Sequence, residues 1–265
     1  MIVTLKIIKN ERNDVISKIR DIFPPKTSSE LTFCGGTLFV DIKQNESRSG
    51  ADWKKLAKIT SIKEWLIPDG MPVPKESGIV DFKPKKLPQR LLANVASAAI
   101  TQADIKPSEL RIGLYPDKET EWFTEYAIEH AKEVHLVTKE NVEEKSEYYL
   151  KKYGAALVVS DDETALSSCS VIVAPAAEKL TCCTDGAFLF SPIKNACAMR
   201  IERAIVKADE PLSELAELYG DMRLLSALYE LDGRKVFGTV TPEQAGTNLG
   251  ILSVGEIAAA LRRGI

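Results

Sequence analysis

The chain has 265 residues, 45% of them hydrophobic and 28% charged, with a formal net charge of −3. That balance belongs to a core-forming globular protein of one large or two ordinary domains, and its mixed signs leave no basic stripe of the kind that nucleic acid requires. No apolar run approaches the ~20 residues that span a bilayer. The opening MIVTLKIIKNER lacks the apolar core and cleavage site of a signal peptide, so a cytoplasmic protein is expected. The five cysteines form an odd set without a framework spacing, which points to reduced thiols. With two histidines and no Cys-x-x-Cys, no zinc site is expected.

In chain order, IVTLKIIK predicts a strand and residues 11–22 a helix, with Val15, Ile16, Ile19 and Ile22 on one face before Pro24-Pro25 stops it. LTFC-GG-TLFV predicts a hairpin turning at Gly35-Gly36. Residues 68–88 carry five prolines and read as an extended crossing segment. A small-residue helix is expected over 88–103, with Leu91, Leu92, Val95, Ala96 and Ala99 at helical spacing. From Leu110 the pattern becomes regular: strand RIGLY, a helix striped by Trp122, Phe123, Tyr126 and Ala127, and strand VHLVT. Next come a helix capped by Asn141 and Glu144 and stopped by Gly154, then strand ALVVS, a short turn-like DDETALSSC and strand SVIVAPA. Apolar strands alternating with helices predict βαβ units and a parallel sheet covered on both faces.

Further along, AFLF (187–190) and KVFGTV (235–240) are expected as strands, with helices near 192–206 and 211–230 between them. Ser253-Val-Gly-Glu256 is a capping box for a last helix that ends at Gly264. The expected architecture is α/β: a Rossmann-like parallel sheet over 86–265 closed by C-terminal helices, preceded by a smaller α/β unit over 1–85.

Residues 88–175 resemble the nucleotide-binding half of two-domain dehydrogenases such as shikimate dehydrogenase and glutamyl-tRNA reductase. The likeness lies in the order of linking helix, RIGLY, helix, VHLVT, helix ending YYLKKYG, and SVIVAPA. It implies an NAD(P)-binding domain whose first turn is a Gly-rich loop, with the pyrophosphate on a helix N-terminus. The cofactor-side positions it marks here are Gly113, Asp117, Thr138, Lys139 and Pro175. Only the first glycine of the loop has a counterpart, Gly113; Leu114, Tyr115 and Pro116 stand at the permissive positions, and Pro116 has no N–H to donate. Asp117 is expected to cap the next helix, with Glu119 and Glu121 in its first turn. Each carboxylate ~6 Å from a phosphate charge costs about 3 kcal/mol at an effective dielectric of ~20. The turn therefore starts a helix and repels a pyrophosphate. Thr138-Lys139-Glu140, where a ribose or 2′-phosphate ligand would stand, chooses neither NAD nor NADP.

No catalytic residue carries over from the resemblance. The loop AEKLTCCTDG places Lys179 beside Cys182 and Cys183, a nucleophile or redox candidate set by residue type; buried apolar cysteines are the plainer reading. His130 and His135 read as a helix-end contact and a strand residue rather than bases. TPEQAGTNLG offers Thr247 and Asn248 as neutral hydrogen-bonding groups, though such a run is more often only a connection. The reading favours a protein without a working dinucleotide loop, which expects no cofactor and binds a small molecule or a partner chain, against nucleic acid or membrane. An NAD(P)-dependent oxidoreductase holding its cofactor atypically is the alternative.

Overall fold

The computed structural model describes residues 1–8, 26–45, 51–138, 142–153, 157–182 and 184–264. The helix expected over 11–22, the Asn141 cap, Gly154, Lys139 and Cys183 lie outside the described residues. The chain divides into two compact units, Met1–Pro84 with Lys207–Lys235, and Lys85–Val206 with Val236–Ile265. The second unit is thus not continuous over 86–265, because its chain leaves at residue 207 and re-enters at 236.

The first unit opens with β1 (Ile2–Ile8), an apolar strand buried from Ile2 to Leu5. Strand β2 (Thr27–Cys34) runs antiparallel to β3 (Thr37–Asn45) in the predicted hairpin. Gly35 and Gly36 sit at φ 53° and 77°, the left-handed pair that a two-residue turn with the strands' own twist demands. Helix α1 (Trp53–Leu56), β4 (Glu64–Leu66) and β5 (Val80–Asp81) follow, so the expected crossing segment contains a short strand. The sheet order is β2-β3-β1-β4-β5, with β1 parallel to both β3 and β4. Its core gathers Val3, Leu5, Ile42, Leu56, Trp65, Ile67 and Ile79, and the Trp65 indole donates to the Ile62 carbonyl at 2.7 Å.

The second unit begins with α2 (Lys86–Ala103), whose buried stripe includes Leu91, Leu92, Val95, Ala96 and Ala99. The predicted alternation then appears as β6 (Arg111–Leu114), α3 (Trp122–His130), β7 (Glu133–Val137), α4 (Val142–Tyr153) and β8 (Leu157–Ser160). After a 3-10 turn at Glu163–Ser168 come β9 (Val171–Val173), β10 (Thr184–Phe190) and β11 (Cys197–Ile205). Residues expected as a helix near 192–206 are largely this last strand. Met199 and Ile201 alternate inward at period two, and β11 pairs on both sides, with β10 and with β12 below.

The second region expected as one helix, 211–230, is two: α5 (Ser213–Tyr219) and α6 (Asp221–Glu230), broken at Gly220. Both belong to the first unit. There the buried Tyr219 donates to the Leu5 carbonyl at 3.1 Å. Arg223 donates to the carbonyls of Ile67 at 2.5 Å and Phe82 at 3.2 Å, and pairs with Asp69 and Asp81.

KVFGTV is not a strand but a 3-10 helix at Lys235–Thr239. Its carbonyls are claimed by side chains of α2 instead of a sheet neighbour: Asn94 donates to Gly238 at 3.0 Å and to Val240 at 2.7 Å. TPEQAGTNLG, expected as a connection, carries β12 (Gln244–Thr247) and the turn into β13 (Gly250–Ser253), an antiparallel hairpin added beside β11. Helix α7 (Val254–Gly264) then starts from the predicted box, with Glu256 accepting from the Ser253 N–H at 2.7 Å and Ser253 accepting from the Glu256 N–H at 3.2 Å.

The sheet order of this unit is β13-β12-β11-β10-β9-β6-β7-β8. Counted from β6, its six parallel strands run 3-2-1-4-5-6, the doubly wound Rossmann-like order whose direction reverses between β6 and β9. Ligands of such sheets sit beyond the carboxyl ends of the strands near that reversal.

Candidate functional site

A cavity of about 490 Å³ lies at that end of the sheet, over the exits of β6 and β7. Tyr115, Pro116, Asp117 and Lys118 enter it from the segment leaving β6, and Glu121 and Thr124 from the start of α3. Leu136, Val137 and Thr138 close it at the end of β7, with Tyr149 reaching in from α4. Its floor is buried, since Leu136, Val137, Thr124 and Tyr149 are all under a tenth exposed. A largely apolar base with a few hydroxyls and a charged rim is the usual form of a small-molecule site.

The turn that leads into α3 does not cap that helix. Asp117 Oδ1 instead accepts from the N–H groups of Glu119 at 2.9 Å and Thr120 at 3.0 Å, closing a turn over 117–120 ahead of the helix that starts at Trp122. The Thr120 hydroxyl adds a third bond to the same oxygen at 3.0 Å. Two amides at the helix start are also occupied: Phe123 N–H donates to the Thr120 carbonyl at 2.9 Å and Thr124 N–H to the Glu121 carbonyl at 3.0 Å. A pyrophosphate cradle needs such N–H groups unpaired. Here the chain itself satisfies those of Glu119, Thr120, Phe123 and Thr124. Arg90 fixes the turn from α2, donating to the Glu119 carbonyl at 3.0 Å with its guanidinium 4.7 Å from the centre of the Trp122 ring.

Of the residues expected on the cofactor side, the structure brings Asp117 and Thr138 together at the cavity. Gly113 lies inside β6 rather than in the loop. A Cβ there would stand 2.8 Å from Leu166 Cδ2 and 3.1 Å from Cys169 Sγ, so its lack of a side chain admits the 163–169 segment onto the sheet. Pro175 is buried just past β9 and does not line the cavity.

The other candidates are occupied elsewhere. Lys179 is exposed, while Cys182 is packed in a core cluster with Leu166, Cys169 and Ala187. Glu163 holds the neighbouring Thr181 through its N–H at 2.8 Å and its hydroxyl at 2.7 Å. Thr247 and Asn248 form the β12–β13 turn: Thr247 Oγ1 donates to the Gly250 carbonyl at 2.9 Å, and Asn248 Oδ1 accepts from Arg200 N–H at 2.8 Å. That turn lies level with Ile201, midway along β11, away from the carboxyl ends. His130 stacks on Tyr126 with ring centres 4.0 Å apart, and His135 is buried in β7 with Nε2 3.1 Å from Glu133 Oε1.

Thr124 and Tyr149 escaped the sequence reading. Thr124 sits at the start of a helix whose apolar stripe drew attention to Trp122 and Phe123, and Tyr149 entered only as part of the helix-ending YYLKKYG. Only the cavity that joins them to Leu136 and Val137 shows that both border a space. Among the described residues, no group of His, Cys, Asp or Glu could hold a metal ion, and no helix is long and apolar enough to cross a membrane.

No family model matches the sequence, and no curated protein matches it. Among solved structures, the crystal structure of L-tryptophan dehydrogenase from Nostoc punctiforme is similar over 99% of this chain and 87% of that one, at 8% identity and a TM-score of 0.32. A likeness at that level carries no argument about activity, and the α/β assignment rests on the strand order itself.

Proposed function

We propose that this protein is a Rossmann-like binding protein that takes a small metabolite in the cavity over β6 and β7 and holds no dinucleotide. The observation that carries the reading is the self-satisfied turn, in which Asp117 Oδ1 occupies the Glu119 and Thr120 amides that a pyrophosphate would need. The carboxylates of Asp117 and Glu121 on the cavity wall add repulsion toward phosphate. A site in the cytoplasm, with reduced thiols and neither nucleic-acid nor membrane partner, accords with the chain's composition. A second reading, an oxidoreductase using NAD(P), draws on the 3-2-1-4-5-6 order and on the cavity's place at the carboxyl ends of the strands.

Thermal unfolding with NAD, NADP and adenosine diphosphate separates the two. A ligand at a hundred times its Kd adds about 2.7 kcal/mol to folding. The expected result is no shift with any of the three nucleotides. A clear upward shift with NAD or NADP refutes the first reading and favours the second.

A further inference from the structure

The cavity proposed above as the binding site carries two features that specify the charge of its ligand. Asp117 is fixed before any ligand arrives, because Oδ1 accepts three hydrogen bonds within the 117–120 turn. Among the described residues no hydrogen bond reaches its Oδ2. A carboxylate held in one orientation with an oxygen to spare is a preorganised acceptor, and a cationic donor gives the strongest bond to it. Glu121 on the same wall brings the described lining to two carboxylates against one ammonium, that of the exposed Lys118.

The second feature is at the floor. Thr124 is 2% exposed and lines the cavity, yet its hydroxyl makes no hydrogen bond to another described residue. A hydroxyl there with no protein partner is available to a ligand's hydrogen-bonding group. Beside Thr124 the lining is the rings of Tyr115 and Tyr149 and the aliphatic Leu136 and Val137.

We infer that the ligand is a compact organic cation: a protonated amine at Asp117, a flat apolar body against the tyrosines and aliphatic side chains, and a hydrogen-bonding group on Thr124. This rests on the binding reading above and narrows it to a substrate class. A carboxylate or phosphate ester of the same size meets like charge at the rim and is rejected.

Three probes share one phenol body and differ in charge: tyramine, the neutral tyrosol, and 3-(4-hydroxyphenyl)propionate. Titration calorimetry on the full chain should show tyramine binding about tenfold tighter than tyrosol, with the anion weakest, and the preference should shrink as salt rises. Asp117→Asn keeps the Oδ1 acceptor and the turn, and should bring tyramine close to tyrosol. Thr124→Val should weaken tyramine and tyrosol alike, with Thr124→Ser restoring both, and unfolding curves check that each variant folds. Equal binding of all three probes, tightest binding of the anion, or no binding of tyramine overturns the cation assignment. Failure of the broader reading is separate and shows as stabilisation of the parent by NAD or NADP.

Discussion

Gly113 has no room for a side chain, since an added Cβ would come within 2.8 Å of Leu166 and 3.1 Å of Cys169. Gly113→Ala should therefore cost about 1–3 kcal/mol, the usual range for overpacking a filled core. Leu166→Ala in the same chain should not add its full cost, because the two changes share one space. Urea denaturation measures both, and a Gly113→Ala loss below ~0.5 kcal/mol would show that the segment yields. Beside it, burial pushes the Cys169 thiol up to about 12. At pH 8 only about one thiol in ten thousand is then ionised, and the thiolate is the reactive form. Iodoacetamide should label Cys169 no faster than the protein unfolds, as followed by peptide mapping. Rapid labelling of the native chain would contradict that burial.

At the scale of elements, α7 shows how a local signal and a tertiary one combine. Ser253 and Glu256 form reciprocal bonds at its start, while Ile257, Ala258 and Leu261 are buried along one face. Ser253→Ala should cost about 0.5–2 kcal/mol, measured by chemical denaturation. The bonds from Ser253 hold the Glu256 carboxyl below its ordinary 4.5. A lowered folded-state value means that this contribution is present above pH 4.5 and is lost as pH falls through the folded value. The acid limb of stability should then be shallower in Ser253→Ala than in the parent. An unchanged limb would mean that the Ser253 hydroxyl does not hold the Glu256 carboxylate in solution.

For the whole molecule, the return of residues 207–235 to the first unit has a direct consequence. The fragment 1–84 lacks α5 and α6, and so lacks the Tyr219 and Arg223 bonds to the carbonyls of Leu5, Ile67 and Phe82. It should be unfolded by circular dichroism, and joining 207–235 to it through a flexible linker should restore cooperative unfolding; a fragment 1–84 that folds alone would refute this. Burial also pushes the Tyr219 phenol from 10.0 up to about 12. The unfolded chain releases that proton near pH 10 while the folded chain holds it, so stability falls as pH rises across that window. Tyr219→Phe should unfold more readily at neutral pH, by the order of 1 kcal/mol for the lost hydrogen bond, but lose less between pH 10 and 12. Equal alkaline losses in parent and variant would place the phenol in water.

The local sequence determined much of the architecture. The Gly35-Gly36 turn, the α2 stripe, the β6-to-β9 alternation and the Ser253–Glu256 box were all legible, because each depends on residues a few positions apart. What it misjudged depended on partners far along the chain. Residues 197–205 are a strand because β10 and β12 pair with them, and 235–239 coil because Asn94 and Arg90 claim their carbonyls. Asp117, read as a helix cap, closes a separate turn, yet the residue type that suggested a cap is the one that takes the amides. The cavity was beyond reach of periodicity altogether. Its walls come from β6, α3, β7 and α4, and only the packing of those elements turns a threonine and a tyrosine from helix residues into the lining of a site.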